Sequence, residues 1–283
     1  MPVDKETLCV AGVEGKEIAE KISGTDNYTG IFYSYGYKTT TSTKRSYNYK
    51  ESREPDSLTD PDNLSNGADT NISHLNIINN ILGTTLTTSD DFKEYMQNEY
   101  NDFVNSIKIN GGFYVGRYES SLSSSTKTVE GTTGNIQSKR DIMPTSSLNS
   151  GTYRWYGLYA KQREYAQTLT GTNVKSTMIY NSMYDAIMNW ALYGDDRTDA
   201  SKINEHSISH GPEYTGALED DRINNIYDLG NNLYEWTAGA NNTYYRIARG
   251  SRYSETDMLS CVGGWFAPRV YAQQMGSRMI LYM

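Results

Sequence analysis

The chain reads as a single α+β domain over residues 1–283, with much irregular backbone, and three observations predict that class. Apolar residues recur at helical spacing in two segments of the first two-thirds of the chain. The last third breaks instead into short strand-like runs separated by glycine-containing turns. No internal repeat divides the sequence, and a chain of this length buries a sizeable core without one.

In chain order, residues 38–72 are rich in Ser, Thr, Asn and Asp and carry Arg53-Glu54-Pro55-Asp56. Aromatic segments flank them on both sides, so they read as a polar surface loop within the domain rather than a linker. A helix follows, capped by Ser89 or Asp90, with Phe92, Tyr95, Met96, Phe103 and Ile107 close to one face. It ends before Gly111-Gly112, where the chain turns into a strand over Phe113–Glu119. Residues 120–150 read as a second polar surface loop, rich in Ser and Thr. A second helix is predicted from Tyr180 to Tyr193, where Met183, Ile187, Trp190 and Ala191 share a face. Strands are expected at Arg246–Arg249 and Arg278–Tyr282, the run Met279–Met283 being apolar enough to be buried.

Composition excludes several partner classes. The formal net charge is −8 and the pI about 5.0, and the basic pairs Lys44-Arg45 and Lys139-Arg140 stand alone in polar loops. A nucleic-acid partner needs clustered Lys and Arg, so none is expected. No apolar run approaches the ~18 residues that a membrane span requires. The N-terminus lacks a basic-then-apolar signal peptide. A chain acting on a virion or cell surface then leaves the cell by another route, such as lysis; otherwise it is cytoplasmic. Cys9 and Cys261 form one disulfide or none, and none is preferred without a secretion signal. Tyrosine is the anomaly, with 25 Tyr against 5 Phe and 4 Trp. Binding loops favour Tyr as a rigid, amphipathic contact surface; alternatively, Tyr replaces Phe in a half-wet, loop-rich fold.

The densest pattern comprises three blocks: Asn225–Thr237, Arg249-Gly250-Ser251 and Gly276–Tyr282. Asp228, Asn231 and Glu235 are polar residues set among apolar ones, placed to hydrogen-bond turn amides, since buried polar groups must be paired. Trp236 and Tyr234 anchor the core, while Arg249 and Arg278 pair with acidic side chains or carbonyls. Between the strands, residues 250–277 follow no core pattern. Arg252, Tyr253, Ser254, Glu255, Asp257, Trp265, Phe266, Tyr271, Gln273 and Gln274 are interrupted by Gly263-Gly264 and Pro268. An aromatic and polar mixture on a rigid support is how binding surfaces are built, which makes these the candidate ligand-binding residues. The alternative is that Trp265 and Phe266 cap the core.

The three blocks, in this order and spacing, resemble the C-terminal half of the formylglycine-generating-enzyme type of C-type lectin fold. Members read roughly N-x-x-D-x-x-G-N-x-x-E-W-T, R-G-G-S and G-F-R. Gly111–Glu119 looks like the strand after that fold's first helix. Ser176–Tyr180 followed by Met183–Ala186 resembles its S-x-x-x-x-x-x-Q-W-D-A segment, with Met183 and Tyr184 in place of Gln and Trp. Pro2-Val3-Asp4 is similar to the tail of its opening strand, so the chain is expected to start inside that strand. Two departures bear on core packing: Ser251-Arg252 follow Gly250 where Gly-Ser is usual, and Ser277 replaces a Phe.

Within this fold the chain is most similar to the variable proteins of diversity-generating retroelements, many of them phage tail receptor binders. That resemblance implies a non-catalytic protein binding a protein or glycan receptor on a cell surface, through a variable region at 244–278, and it admits a homo-oligomer. Enzymatic relatives hold copper on two nearby cysteines or iron on three histidines. Here Cys261 has no close partner, and the histidines are His74, His206 and His210. His206 and His210 follow Glu205 at i, i+4 spacing, but Ser207-Ile208-Ser209 and Gly211-Pro212 suggest a loop, and a third ligand is missing. No catalytic residue and no cofactor is therefore expected. A structural Ca²⁺ on the Asp228, Asn231 and Glu235 set is the alternative that lectin relatives suggest. A metalloenzyme of the formylglycine-generating or sulfoxide-synthase kind, and a surface structural protein without diversification, are the competing classes.

Overall fold

A computed structural model describes residues 2–4, 20–21, 28–29, 74–110, 112–123, 127–128, 131–132, 135–144, 155–169, 173–180, 183–184, 187, 212–222, 225–240, 246–253, 263–267 and 274–283. The expected loop at 38–72 lies outside them. Strands β1 (Pro2–Asp4), β2 (Glu20–Lys21) and β3 (Tyr28–Thr29) precede helices α1 (His74–Leu82) and α2 (Ser89–Asn110). Next come β4 (Gly112–Val115), β5 (Ser120–Leu122), β6 (Lys127–Thr128), β7 (Gly131–Thr132) and β8 (Ile136–Ser138). Helix α3 (Trp155–Glu164) and β9 (Lys175–Met178) lead to β10 (Tyr234–Ala240), β11 (Arg246–Arg249), β12 (Gly263–Phe266), β13 (Met275–Ser277) and β14 (Met279–Tyr282). The class is α+β.

Two four-stranded sheets organise these elements. The first, ordered β1-β4-β14-β9, is antiparallel, with Ile280 opposite both Val115 and Thr177 and Val3 opposite Phe113. The second is ordered β12-β11-β10-β13, and its β10–β13 pair is parallel. Strands β13 and β14 are separated by one residue, Arg278, so that residue is the covalent joint between the sheets.

Helix α2 buries Phe92, Met96, Tyr100, Phe103 and Ile107 on one stripe, as its spacing predicts, with Tyr95 half-buried. Its cap is Thr88, one residue before the expected pair. The Thr88 hydroxyl accepts the Asp91 N–H at 3.1 Å, and the Asp91 carboxylate accepts the Thr88 N–H at 2.9 Å, a reciprocal capping box. Hydrogen bonds from the Thr87 amide and hydroxyl add to this and hold the Asp91 carboxyl down at about 2. Phe103 meets Phe113, Tyr180 and Tyr282 at ring distances of 5.4–5.9 Å, locking α2 onto the first sheet.

The predicted strand over Phe113–Glu119 ends early, at Val115. Gly116 still donates to the Met279 carbonyl, but the Ser138 hydroxyl then binds both the amide and the carbonyl of Tyr118 and diverts the chain. The surface-loop reading of 120–150 is also corrected: β5 pairs with β8, β6 pairs with β7, and Ser120, Ser121 and Ile136 are buried. Serine is tolerated there because the Gln162 amide donates to the Ser120 hydroxyl at 3.0 Å. Helix α3 went unpredicted for a physical reason. It is buried on nearly every side, from Trp155 to Gln162, so no polar face marks a helical period. Of the predicted second helix, Met183, Tyr184 and Ile187 are helical and buried, while Trp190 and Ala191 fall outside the described residues.

Replacing Thr88 by Ala removes the cap acceptor of α2 and should cost about 1 kcal/mol of unfolding free energy in denaturant titration. An unchanged midpoint would mean that the helix start is held by packing alone.

Candidate functional site

The last-third motif builds a buried polar frame. Arg278 donates to Glu235 at 2.5 Å through one terminal nitrogen and at 2.9 Å through Nε, a fork-like charge-assisted contact with both side chains fully buried. The same guanidinium donates to the Gly116 and Tyr227 carbonyls at 2.8 Å each. One side chain thereby ties β10, the end of β4 and the turn before β10 to the joint between the sheets. Burial opposes the Arg278 charge, but Glu235, with Glu119 and Asp228 adding to it, more than offsets that and holds the guanidinium above its ordinary pKa. Burial pushes the Glu235 carboxyl up despite Arg278.

Around this pair the chain is tied by single acceptors. Glu119 accepts the Leu233 N–H at 3.1 Å and the Asn232 side-chain amide at 2.6 Å, one on each carboxylate oxygen. Asp228 accepts the Gly216 N–H at 2.8 Å, and Asn232 accepts the Glu213 N–H at 2.9 Å. Asn225, Asp228 and Asn232 all have positive φ, between 57° and 69°. Asn and Asp visit this left-handed region far more readily than other non-glycine residues, which explains why the motif uses them here. Asn231, the residue singled out from sequence, is buried, yet its neighbour Asn232 makes the bridge. The left-handed demand on one residue of the Asn231-Asn232 doublet was the available signal.

The remaining scaffold residues behave as expected in burial. Trp236 and Tyr234 are buried, and Phe266 packs on both at ring distances of 5.9 and 5.5 Å. Arg249 is buried with its guanidinium 4.9 Å over the Tyr184 ring, so an aromatic face is among its neighbours. Sequence reading did not anticipate Arg246, which is fully buried 3.8 Å over Trp155 and donates to the Ala238 carbonyl. Trp155 in turn donates to the Thr237 carbonyl at 2.7 Å, fastening α3 to the second sheet. Tyr100, Tyr156, Tyr159, Tyr180, Tyr184 and Tyr282 are all core residues, so for these the aromatic excess is structural. Tyr114 and Tyr214 are exposed.

The candidate ligand-binding stretch leaves and rejoins the second sheet across one strand. Glu235 lies opposite Arg249 on one side and Gly276 on the other, which puts those two positions about 10 Å apart, twice the strand spacing. The ends of 250–277 are core, which corrects the expectation that the whole stretch lacks a core pattern: Ser251, Tyr253, Met275, Gly276 and Ser277 are buried. Gly250, at φ +82°, turns where a Cβ would sit 3.1 Å from the Tyr184 hydroxyl. Ser277, in place of a Phe, accepts the Gln162 amide at 2.6 Å, so a polar seam with Ser120 fills that position. The Tyr253 N–H donates to the Asn232 carbonyl at 2.9 Å, and the Tyr234 N–H to the Gln274 carbonyl at 2.8 Å. Arg252, half-buried, donates to the Gln274 side chain. Trp265 is placed opposite Ile247 on β12. Ser254, Glu255, Asp257, Tyr271 and Gln273 lie outside the described residues, as do Cys9, Cys261, His206 and His210. Among the described residues no group of three or more His, Cys, Asp or Glu is arranged to hold a metal, and both Glu235 oxygens are engaged by Arg278. No helix among them is long and apolar enough to cross a membrane.

No family model matches the chain, and no curated protein does either. Among solved structures it is similar to Treponema denticola variable protein 1, at 11% identity and TM-score 0.40, over 60% of this chain and 84% of that one. It is also similar to PvdO from Pseudomonas aeruginosa, at 14% identity and TM-score 0.38, over 61% of this chain and 81% of that one. Likenesses at these scores carry no argument about function.

Replacing Glu235 by Gln should cost about 3–5 kcal/mol, because Arg278 stays buried without its ion-pair partner. The double variant Glu235→Leu with Arg278→Met should lose less than the two single changes added together, measured as a denaturant double-mutant cycle. Strict additivity would show that the pair is not coupled.

Proposed function

We propose that this chain is a non-catalytic ligand-binding protein of the C-type lectin type, displaying a diversifiable surface between residues 254 and 273. One observation carries the reading: both ends of that segment are fastened to the same frame. Tyr253 hangs from Asn232 and Gln274 from Tyr234, two positions apart on one turn, and the Arg252–Gln274 side-chain bond closes the base. A segment whose roots are fixed from outside can change sequence without refolding its support. The order and spacing of the three sequence blocks, which resemble those of retroelement variable proteins, favour the same reading.

The candidate residues then divide by role. Arg252, Tyr253 and Gln274 belong to the frame, and Phe266 packs on the core. Ser254, Glu255, Asp257, Trp265, Tyr271 and Gln273 are the ligand contacts. Rigid aromatic anchors beside short polar groups suit a protein or glycan receptor on a cell surface, and the acidic charge disfavours nucleic acid. The protein needs no cofactor for this and acts from a phage tail or cell surface, where a homo-oligomer would add avidity to a shallow site.

Sequencing the gene across its source population tests the proposal. Substitutions are expected to concentrate between residues 254 and 273, at adenine positions of a nearby template repeat; an even spread along the chain removes the diversification. At the protein level, Trp265→Ala and Tyr271→Ala should weaken receptor binding with little change in melting. Trp236→Ala should destabilise the fold by roughly 3–5 kcal/mol. Equal melting losses in all three would refute the division between frame and contact.

A further inference from the structure

One buried side chain touches both sides of the first root of the 254–273 segment. Tyr184 is fully buried, and its hydroxyl donates to the Leu229 carbonyl in the turn before β10. The same hydroxyl lies 3.1 Å from where a Cβ at Gly250 would sit, and the Leu229 carbonyl oxygen lies 3.4 Å from that point. Any side chain at position 250 would therefore press on both atoms of the Tyr184–Leu229 hydrogen bond.

These contacts close a ring around the root. Just beyond Leu229, the Asn232 carbonyl accepts the Tyr253 N–H at 2.9 Å. Just before Tyr253, Gly250 leaves β11 beside the Tyr184 hydroxyl. Tyr184 itself is held from the joint between the sheets. Its N–H donates to the Tyr180 carbonyl at 3.1 Å, and the neighbouring Ile179 N–H donates to the Arg278 carbonyl at 3.1 Å. The Ile179 carbonyl accepts the Ala238 N–H of β10 at 2.8 Å, so the phenol is fixed relative to both sheets.

We propose that Tyr184 is the positioning residue for this root. Its hydroxyl fixes the turn that holds Tyr253 and keeps position 250 free of a side chain, so the segment leaves the second sheet in one direction. The Arg249 guanidinium, 4.9 Å over the same ring, orients the phenol from the other strand end. A Phe at 184 would keep the ring, its volume and this cation contact, and would lose only the hydroxyl. That the root serves a binding surface rests on the reading above; the contacts themselves do not.

The test uses the free full-length chain, with no ligand, so it stands apart from the binding reading. Hydrogen exchange is read at the Tyr253 amide in Tyr184→Phe and in Thr88→Ala, which loses stability at the remote start of α2. The Tyr253 N–H should exchange about two- to tenfold faster in Tyr184→Phe than in Thr88→Ala, the range that one net hydrogen bond supports. Rates that follow the unfolding constant in both variants show only a general loss of stability and overturn the proposal. No acceleration in Tyr184→Phe overturns it as well. Gly250→Ala, made in wild type and in Tyr184→Phe, checks the steric half by denaturant titration. The backbone strain at φ +82° is common to both backgrounds and cancels. The rise in unfolding constant should be at least about threefold smaller in Tyr184→Phe, because the atom nearest the new methyl is gone. An equal rise in both backgrounds overturns the proposal. If Gly250→Ala folds in neither background, the exchange rates decide alone.

Discussion

The Arg278–Glu235 pair is the interaction on which the rest of the structure depends. Arg278 is the one-residue joint between β13 and β14, so its side chain decides how the two sheets meet. Its donors reach β10, the Gly116 carbonyl after β4 and the Tyr227 carbonyl, three stretches far apart in sequence. A buried ion pair is weak evidence of net stability, because desolvation offsets much of the attraction. Its value here is geometric. A guanidinium offers a rigid fork of donors, and only one arrangement of carboxylate and carbonyls satisfies it.

A second, aromatic system fastens the helices to that frame. Trp155 stacks on Tyr159 at 5.0 Å, takes Arg246 on its ring and donates to Thr237, so α3 reaches the second sheet through one indole. Further along the same face of α3, Tyr159 and Arg163 converge on the buried Glu99 of α2, each at 2.5 Å. A Phe could fill the same volume as Tyr159 but could not satisfy that carboxylate. This explains part of the excess of Tyr over Phe: many of these rings are core with a polar end to place.

The two systems leave residues 254–273 anchored at both roots. Strand β12 returns within that stretch to pair with β11, opposite Ile247 and its neighbours. Apart from Phe266, which packs on Tyr234 and Trp236, the described members of the polar frame and the aromatic system lie outside the stretch, as the proposed changeable surface requires.

Some of this was determined by the sequence alone. The stripe of α2, the burial of Trp236, Arg249 and Arg278, and the strands at 246–249 and near 279–282 were legible, because each rests on local period or on a polar residue stranded among apolar ones. The cap was not read correctly from the sequence, because Ser89 and Asp90 compete with Thr88 as cap residues and only the Thr88–Asp91 pairing decides between them. Tertiary structure alone decided the rest. Helix α3 is buried on nearly all sides and has no amphipathic signature. The serine-rich run at 120–138 forms strands through backbone pairing with distant partners, while Gln162 and the Tyr118 turn satisfy the Ser120 and Ser138 hydroxyls. That Glu235 pairs with Arg278, while Glu119 serves Asn232 and Leu233, depends on which carboxyl the fold brings to which donor across more than 40 and more than 110 residues of chain respectively. Local pattern shows which residues must be buried, and only the assembled chain determines which partner each one meets there.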